Sequence, residues 1–112
     1  MKKYTTREEV IKQYNLDKNF AYCDLSGLDL RWVDLFKVNL SQSDLSGVNL
    51  KWANLTGAEL KAVDLSGATL TNAELINANL SWADLTGANL TGANLTGANL
   101  TGVIGYQLKI TN

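Results

Sequence analysis

Ala83-Asp84-Leu85-Thr86-Gly87, Ala88-Asn89-Leu90-Thr91-Gly92, Ala93-Asn94-Leu95-Thr96-Gly97 and Ala98-Asn99-Leu100-Thr101-Gly102 are four consecutive copies of one five-residue unit. The unit extends back toward the N-terminus. Leucine recurs at every fifth position from Leu25 to Leu100, sixteen times without a miss. The residue two before each leucine is usually small: nine alanines, then Val33, Val38, Val48 and Val63, with Cys23 and Ser43. Leu28 is large for that place. The residue just before each leucine is Asp, Asn or Glu, except Thr69.

A period of five suits neither regular element. On a helix of 3.6 residues per turn, each five-residue step turns the leucine by about 140° and spreads the set over every side. On a flat strand an odd period sends successive leucines to opposite faces. All sixteen point inward only if the chain turns a corner in every repeat, and repeated corners in one sense make a solenoid. Asp-Leu-(Ser/Thr)-Gly occurs at Asp24, Asp44, Asp64 and Asp84, always 20 residues apart, and Arg31-Trp32 recurs as Lys51-Trp52 at the same spacing. Twenty residues are four repeats, so a coil has four sides.

Leu-Thr-Gly-Ala reads as a turn whose third position needs φ > 0, which glycine supplies. Gly27, Gly47, Gly67 and Gly87 fill one column of such corners, and Asn72 and Asn77 tolerate the conformation. Trp32, Lys37, Gln42, Trp52, Ala62 and Trp82 do not favour it. The expectation at those six is a second kind of corner without positive φ.

The sequence resembles the pentapeptide-repeat family, whose pattern is (Ala/Cys/Ser/Thr/Val)-(Asp/Asn)-(Leu/Phe)-X-X, over residues 23–102. The resemblance implies an all-β fold, a right-handed quadrilateral β-helix of about four coils; periodicity alone does not give the hand. It also brings an alternative role. Family members that protect DNA gyrase from quinolones resemble DNA in size, charge and shape. Here residues 23–102 carry eight acids against four bases, far below the charge density of a duplex.

The ends read differently. Residues 1–22 are expected to cap the first coil. Thr6-Arg7-Glu8-Glu9 matches a capping box, starting a short helix through about Tyr14. Val10, Ile11 and Tyr14, joined by Leu16 and Phe20, are the expected cover. In 103–112, Ile104, Tyr106, Leu108 and Ile110 alternate with polar residues or glycine in a strand-like pattern. That segment either folds over the last coil or pairs with a second copy, giving a homodimer through the C-terminal end.

Composition narrows function. The 112 residues carry a formal net charge of −1, no histidine and one cysteine. Near-neutral charge argues against direct nucleic-acid binding. Lone Cys23 forms no internal disulfide, no apolar run approaches membrane-spanning length, and the N-terminus lacks a secretory signal, so the expectation is a cytoplasmic protein. Without histidine there is no histidine-based triad, and a convex rod offers no cleft. The expectation is a non-catalytic scaffold with no cofactor or metal and an unidentified protein partner. The candidate partner-binding residues are Arg31, Trp32, Phe36, Lys51, Trp52 and Trp82. Trp32 and Trp52 fall one coil apart, about 5 Å. Either they stack to stabilise the corner, which is the favoured reading, or they form an aromatic and cationic edge for an anionic or planar partner. The aspartate column reads first as solvated surface.

Overall fold

Each repeat has five backbone N–H groups to satisfy, and their partners define the fold. In Ala53-Asn54-Leu55-Thr56-Gly57, the Ala53 N–H closes the corner on the Leu50 carbonyl at 3.0 Å. Asn54 donates back to Val33 of the preceding coil at 2.9 Å, while Leu55 and Gly57 donate forward to Glu74 and Ile76 at 2.7 and 2.8 Å. The Thr56 N–H points away from both neighbours and is taken by the Asn54 side chain, Oδ1, at 3.1 Å. The backbone thus needs a short side-chain carbonyl two residues earlier, which is why Asp or Asn precedes leucine. All thirteen Asp and Asn residues at this place between residues 23 and 102 accept the same bond. At Glu59, Thr69 and Glu74 it is missing, and the N–H groups of Lys61, Thr71 and Ile76 have no partner among the described residues.

The computed structural model describes residues 1–106. From Asn19 to Asp84 the repeats pair in parallel with the chain 20 residues later, as in Asn39 with Glu59, Asp44 with Asp64 and Asn49 with Thr69. Four repeats therefore carry the chain once around a β-helical solenoid. The body measures 36 × 23 × 21 Å. Leu25 to Leu85, thirteen leucines, are at most 1 % exposed, and the small residues two places earlier interleave with them. Leu28 is only partly buried, as its size requires. The one buried hydroxyl among the small residues, Ser43, donates to the Phe20 carbonyl and accepts the Cys23 N–H at 3.0 Å.

The expected second kind of corner does not exist. Trp32, Lys37, Gln42, Trp52, Ala62 and Trp82 have φ of 64, 56, 58, 62, 56 and 63°, the same left-handed conformation as the glycines. At these corners that residue's N–H donates to the following coil while the next residue closes the turn. A different corner would break both bonds and shift the register, so the solenoid imposes positive φ where the side chain resists it. Such a residue costs about 1–2 kcal/mol of local strain.

The N-terminal end is closed by a strand as well as a helix. Strand β1, Lys2–Lys3, pairs in parallel with β2, Cys23–Asp24, and Tyr4 donates to the Asp24 carbonyl at 2.8 Å. Helix α1, Arg7–Asp17, starts with the complete Thr6/Glu9 capping box and ends at Lys18 with φ 57°. It runs three residues beyond the expected end. Val10 and Phe20 are fully buried, and Tyr4 joins them with its ring centroid 5.2 Å from that of Phe20. Ile11 and Leu16 do not cover the coil; they are 39 % and 72 % exposed. Leu16 lies six residues after Val10, about 240° around the helix, on the solvent side. At the other end Ile104 pairs with Asp84 and Tyr106 packs partly against the core. Leu108 and Ile110 lie outside the described residues.

Candidate interaction surface

The residue after each leucine, with Ser81 the buried exception, and the corner residue that follows it lie on the outside of the coil, and the 20-residue register stacks them in columns. Arg31 and Trp32 stand directly before Lys51 and Trp52 in one such column pair. The tryptophan rings are parallel, with centroids 5.1 Å apart and planes 3° apart. Stacking is the geometry expected from one coil spacing. It leaves the rings accessible, Trp32 at 68 % and Trp52 at 45 % exposure. The rings thus stack on each other and still present aromatic surface.

Arg31 is not a free cation. Its Nε and Nη2 donate to Asp29 Oδ1 and Oδ2 at 2.8 and 2.7 Å. The guanidinium hydrogen bonds hold the Asp29 carboxyl down to about 2 and push the Arg31 group up. Asp29 was absent from the sequence candidates, although its place two residues before Arg31 is the signal for the pair. Lys51 makes no ion pair among the described residues. Phe36 sits at the next corner with Lys37 Nζ 5.4 Å from its ring centroid, and the Tyr14 hydroxyl donates to its carbonyl at 2.8 Å. Trp82 is not brought to this surface. It lies two corners around the coil, in the column of Gln42 and Ala62, against Gly102, where an added Cβ would meet the Trp82 ring.

The outward aspartates are working parts of the turns. Asp24, Asp44, Asp64 and Asp84 accept the N–H of Ser26, Ser46, Ser66 and Thr86 at 2.8–2.9 Å. The Ser26 and Thr86 hydroxyls and amides hold the carboxyls of Asp24 and Asp84 below the usual range. Lys3 pairs at the head of this column. Cys23 is buried, and that burial pushes its thiol up, away from the reactive thiolate. Among the described residues no cluster of His, Cys, Asp or Glu is arranged to hold a metal ion. No helix among them is long and apolar enough to cross a membrane.

The pentapeptide-repeat family model matches in eight copies, over residues 19–51, 34–72 and 64–102. Among solved structures, the chain is similar to HetL of the cyanobacterium Nostoc sp. strain PCC 7120, a pentapeptide-repeat protein involved in heterocyst differentiation regulation. The TM-score is 0.76 at 38 % identity, covering 77 % of this chain and 40 % of that one. The chain thus spans well under half the length of HetL. A pentapeptide-repeat protein of the Arabidopsis thaliana thylakoid lumen matches with TM-score 0.53 and 30 % identity, covering 90 % of this chain and 67 % of that one. A cyanobacterial one from Cyanothece matches at 0.50 and 26 %, covering 86 % and 92 %. No curated protein matches the chain.

Proposed function

The chain belongs to the pentapeptide-repeat family, and from that premise we propose that it is a non-catalytic, rigid interaction module that offers the Trp32–Trp52 corner to a protein partner. The observation that carries this reading is the parallel, solvent-accessible tryptophan pair flanked by Arg31 and Lys51. Aromatic and arginine side chains are enriched where proteins bind. Here they stand on a backbone whose register fixes their spacing, so little ordering entropy is lost on docking. Phe36 extends the surface to the next corner, and Trp82 belongs to a separate patch. A similar pentapeptide-repeat protein involved in heterocyst differentiation regulation supports a binding role. The same reading takes four coils, supported by the 20-residue register and the sixteen leucines, the right hand that the family resemblance implies, and a cytoplasmic location, supported by the lone cysteine.

The test is affinity capture from the native cell with the wild type and a Trp32→Ala/Trp52→Ala variant, both confirmed as folded by circular dichroism. A partner retained by the wild type and lost by the variant is expected. Equal capture by both overturns the assignment of this corner. The competing reading, an imitation of DNA phosphates by the aspartate column, demands inhibition of gyrase supercoiling at micromolar protein; the interaction-module reading demands none.

A second copy is the proposed cover for the C-terminal end. Leu90, Leu95 and Leu100 are only half-buried, and the N–H groups of Leu95, Gly97 and Leu100 have no partner among the described residues. A homodimer through this end hides both. Light scattering after size-exclusion chromatography is expected to give twice the 12.2 kDa chain mass. A strict monomer at high concentration removes the dimer.

A further inference from the structure

Corner side chains in this solenoid lean toward the following coil: Lys37 lies beside Gly57, and the Trp82 ring lies over Gly102. Trp32 likewise has one face on Trp52. Its other face looks toward the start of the chain, where no earlier coil supplies a partner. Helix α1 stands there instead, and its first residue, Arg7, reaches the coil edge with Nη1 3.5 Å from the Asp29 carbonyl oxygen. Arg7, Asp29, Arg31 and Trp32 line an open recess of about 250 Å³. This falls below the roughly 300–1,000 Å³ of sites for drug-sized ligands and suits about one large side chain.

The charges in the recess do not cancel. Asp29 is held bidentately by Arg31, whereas Arg7 has no carboxylate at ion-pair distance among the described residues. One positive charge is left beside one open indole face. We infer that this recess receives an aromatic side chain of the partner with a carboxylate next to it in sequence. The ring continues the Trp32–Trp52 stack by one more layer, and the carboxylate meets the Arg7 guanidinium. The inference rests on the reading of this corner as a protein-binding surface, and it assigns the partner's chemistry and adds Arg7 to the surface.

The experiment is an NMR titration of the full chain with blocked dipeptides, followed at the Trp32 indole. N-acetyl-Trp-Asp-amide is expected to shift that indole saturably. N-acetyl-Trp-Lys-amide is expected to bind about two- to fivefold more weakly, the effect of one exposed ion pair. Arg7→Gln is expected to remove that difference while leaving the fold intact, because the Thr6/Glu9 capping box does not use the Arg7 side chain. Equal binding of the two peptides, perturbation centred elsewhere, or tighter binding of adenosine monophosphate than of the acidic peptide overturns the inference; the last would make this a small-molecule site. Partner capture lost in the tryptophan double variant but unchanged in Arg7→Gln overturns the inference and leaves the interaction corner standing.

Discussion

Ala62 is held at φ 56° with its methyl group in solvent, so nothing in its side chain offsets the strain. Ala62→Gly is expected to raise stability by about 1 kcal/mol in chemical denaturation, because relief of the left-handed strain exceeds glycine's extra chain entropy. Ala58→Gly, at a fully packed inward position, is expected to lower it. A loss at Ala62 would mean that the corner is not strained. The place before leucine obeys a different rule. Glu74→Asn gives the Ile76 N–H the acceptor it lacks and is expected to stabilise by about 0.5–1.5 kcal/mol, whereas Asn89→Ala removes such a bond at Thr91 and costs a similar amount. Equilibrium unfolding of both variants checks the pair. The Asp/Asn preference was plain in the sequence, but its cause was not. Only the accounting of five N–H groups per repeat shows that one of them faces neither neighbouring coil.

At the scale of elements, the N-terminal cap is a plug of three aromatic or branched residues rather than a lid of one helix. Tyr4 comes from the chain after β1, Val10 from α1, and Phe20 from the approach to the first coil. Phe20→Ala is expected to cost about 3–5 kcal/mol in chemical denaturation, the range for emptying a buried aromatic site. Leu16→Ala, on the exposed side of α1, is expected to change stability by less than about 0.5 kcal/mol. The capping box made α1 legible in advance. Its buried face was read too broadly, because Ile11 and Leu16 are apolar but lie off the stripe that Val10 and Tyr14 define. β1 carried no sequence signal, since two lysines do not look like a strand. They pair because Cys23 and Asp24 present an unpaired edge.

Over the whole molecule the two ends differ, and stability should follow that difference. The first coil is closed by β1, α1 and the Tyr14 and Arg7 contacts, whereas the last coil has donors without partners among the described residues. In the dilute monomer, hydrogen exchange is expected to be slow at Leu45, Leu50 and Leu65 and fast at Leu95, Gly97 and Leu100, the last three slowing at concentrations where a second copy covers this end. Uniform protection along the chain would contradict an open last coil. Acid should act late and steadily. The carboxyls of Asp24, Asp29 and Asp84 lie lower in the folded chain than the ordinary 3.8, with Asp29 at about 2. Their contribution, with that of Glu9, which the Thr5 and Thr6 hydrogen bonds hold below 4.5, is therefore present in full above about pH 5 and is lost as pH falls toward 2. A denaturation midpoint that is flat from neutral pH to about 5 and then falls is expected. A drop that begins near pH 6 would require other groups.

The amino-acid sequence by itself determined the solenoid, because leucine at every fifth place has only one way to face inward. The 20-residue recurrence set four sides to a coil, and the corner pair Trp32 and Trp52 followed from it. Tertiary structure decided what those columns do to individual residues. It forced one corner conformation on glycine and tryptophan alike, since a coil that must hydrogen-bond to its neighbour cannot vary its corners singly. It left Arg7 beside the open face of Trp32 and set Trp82 apart. Neighbours across coils and across the cap are separated by about twenty residues of chain, and no local pattern records which of them meet.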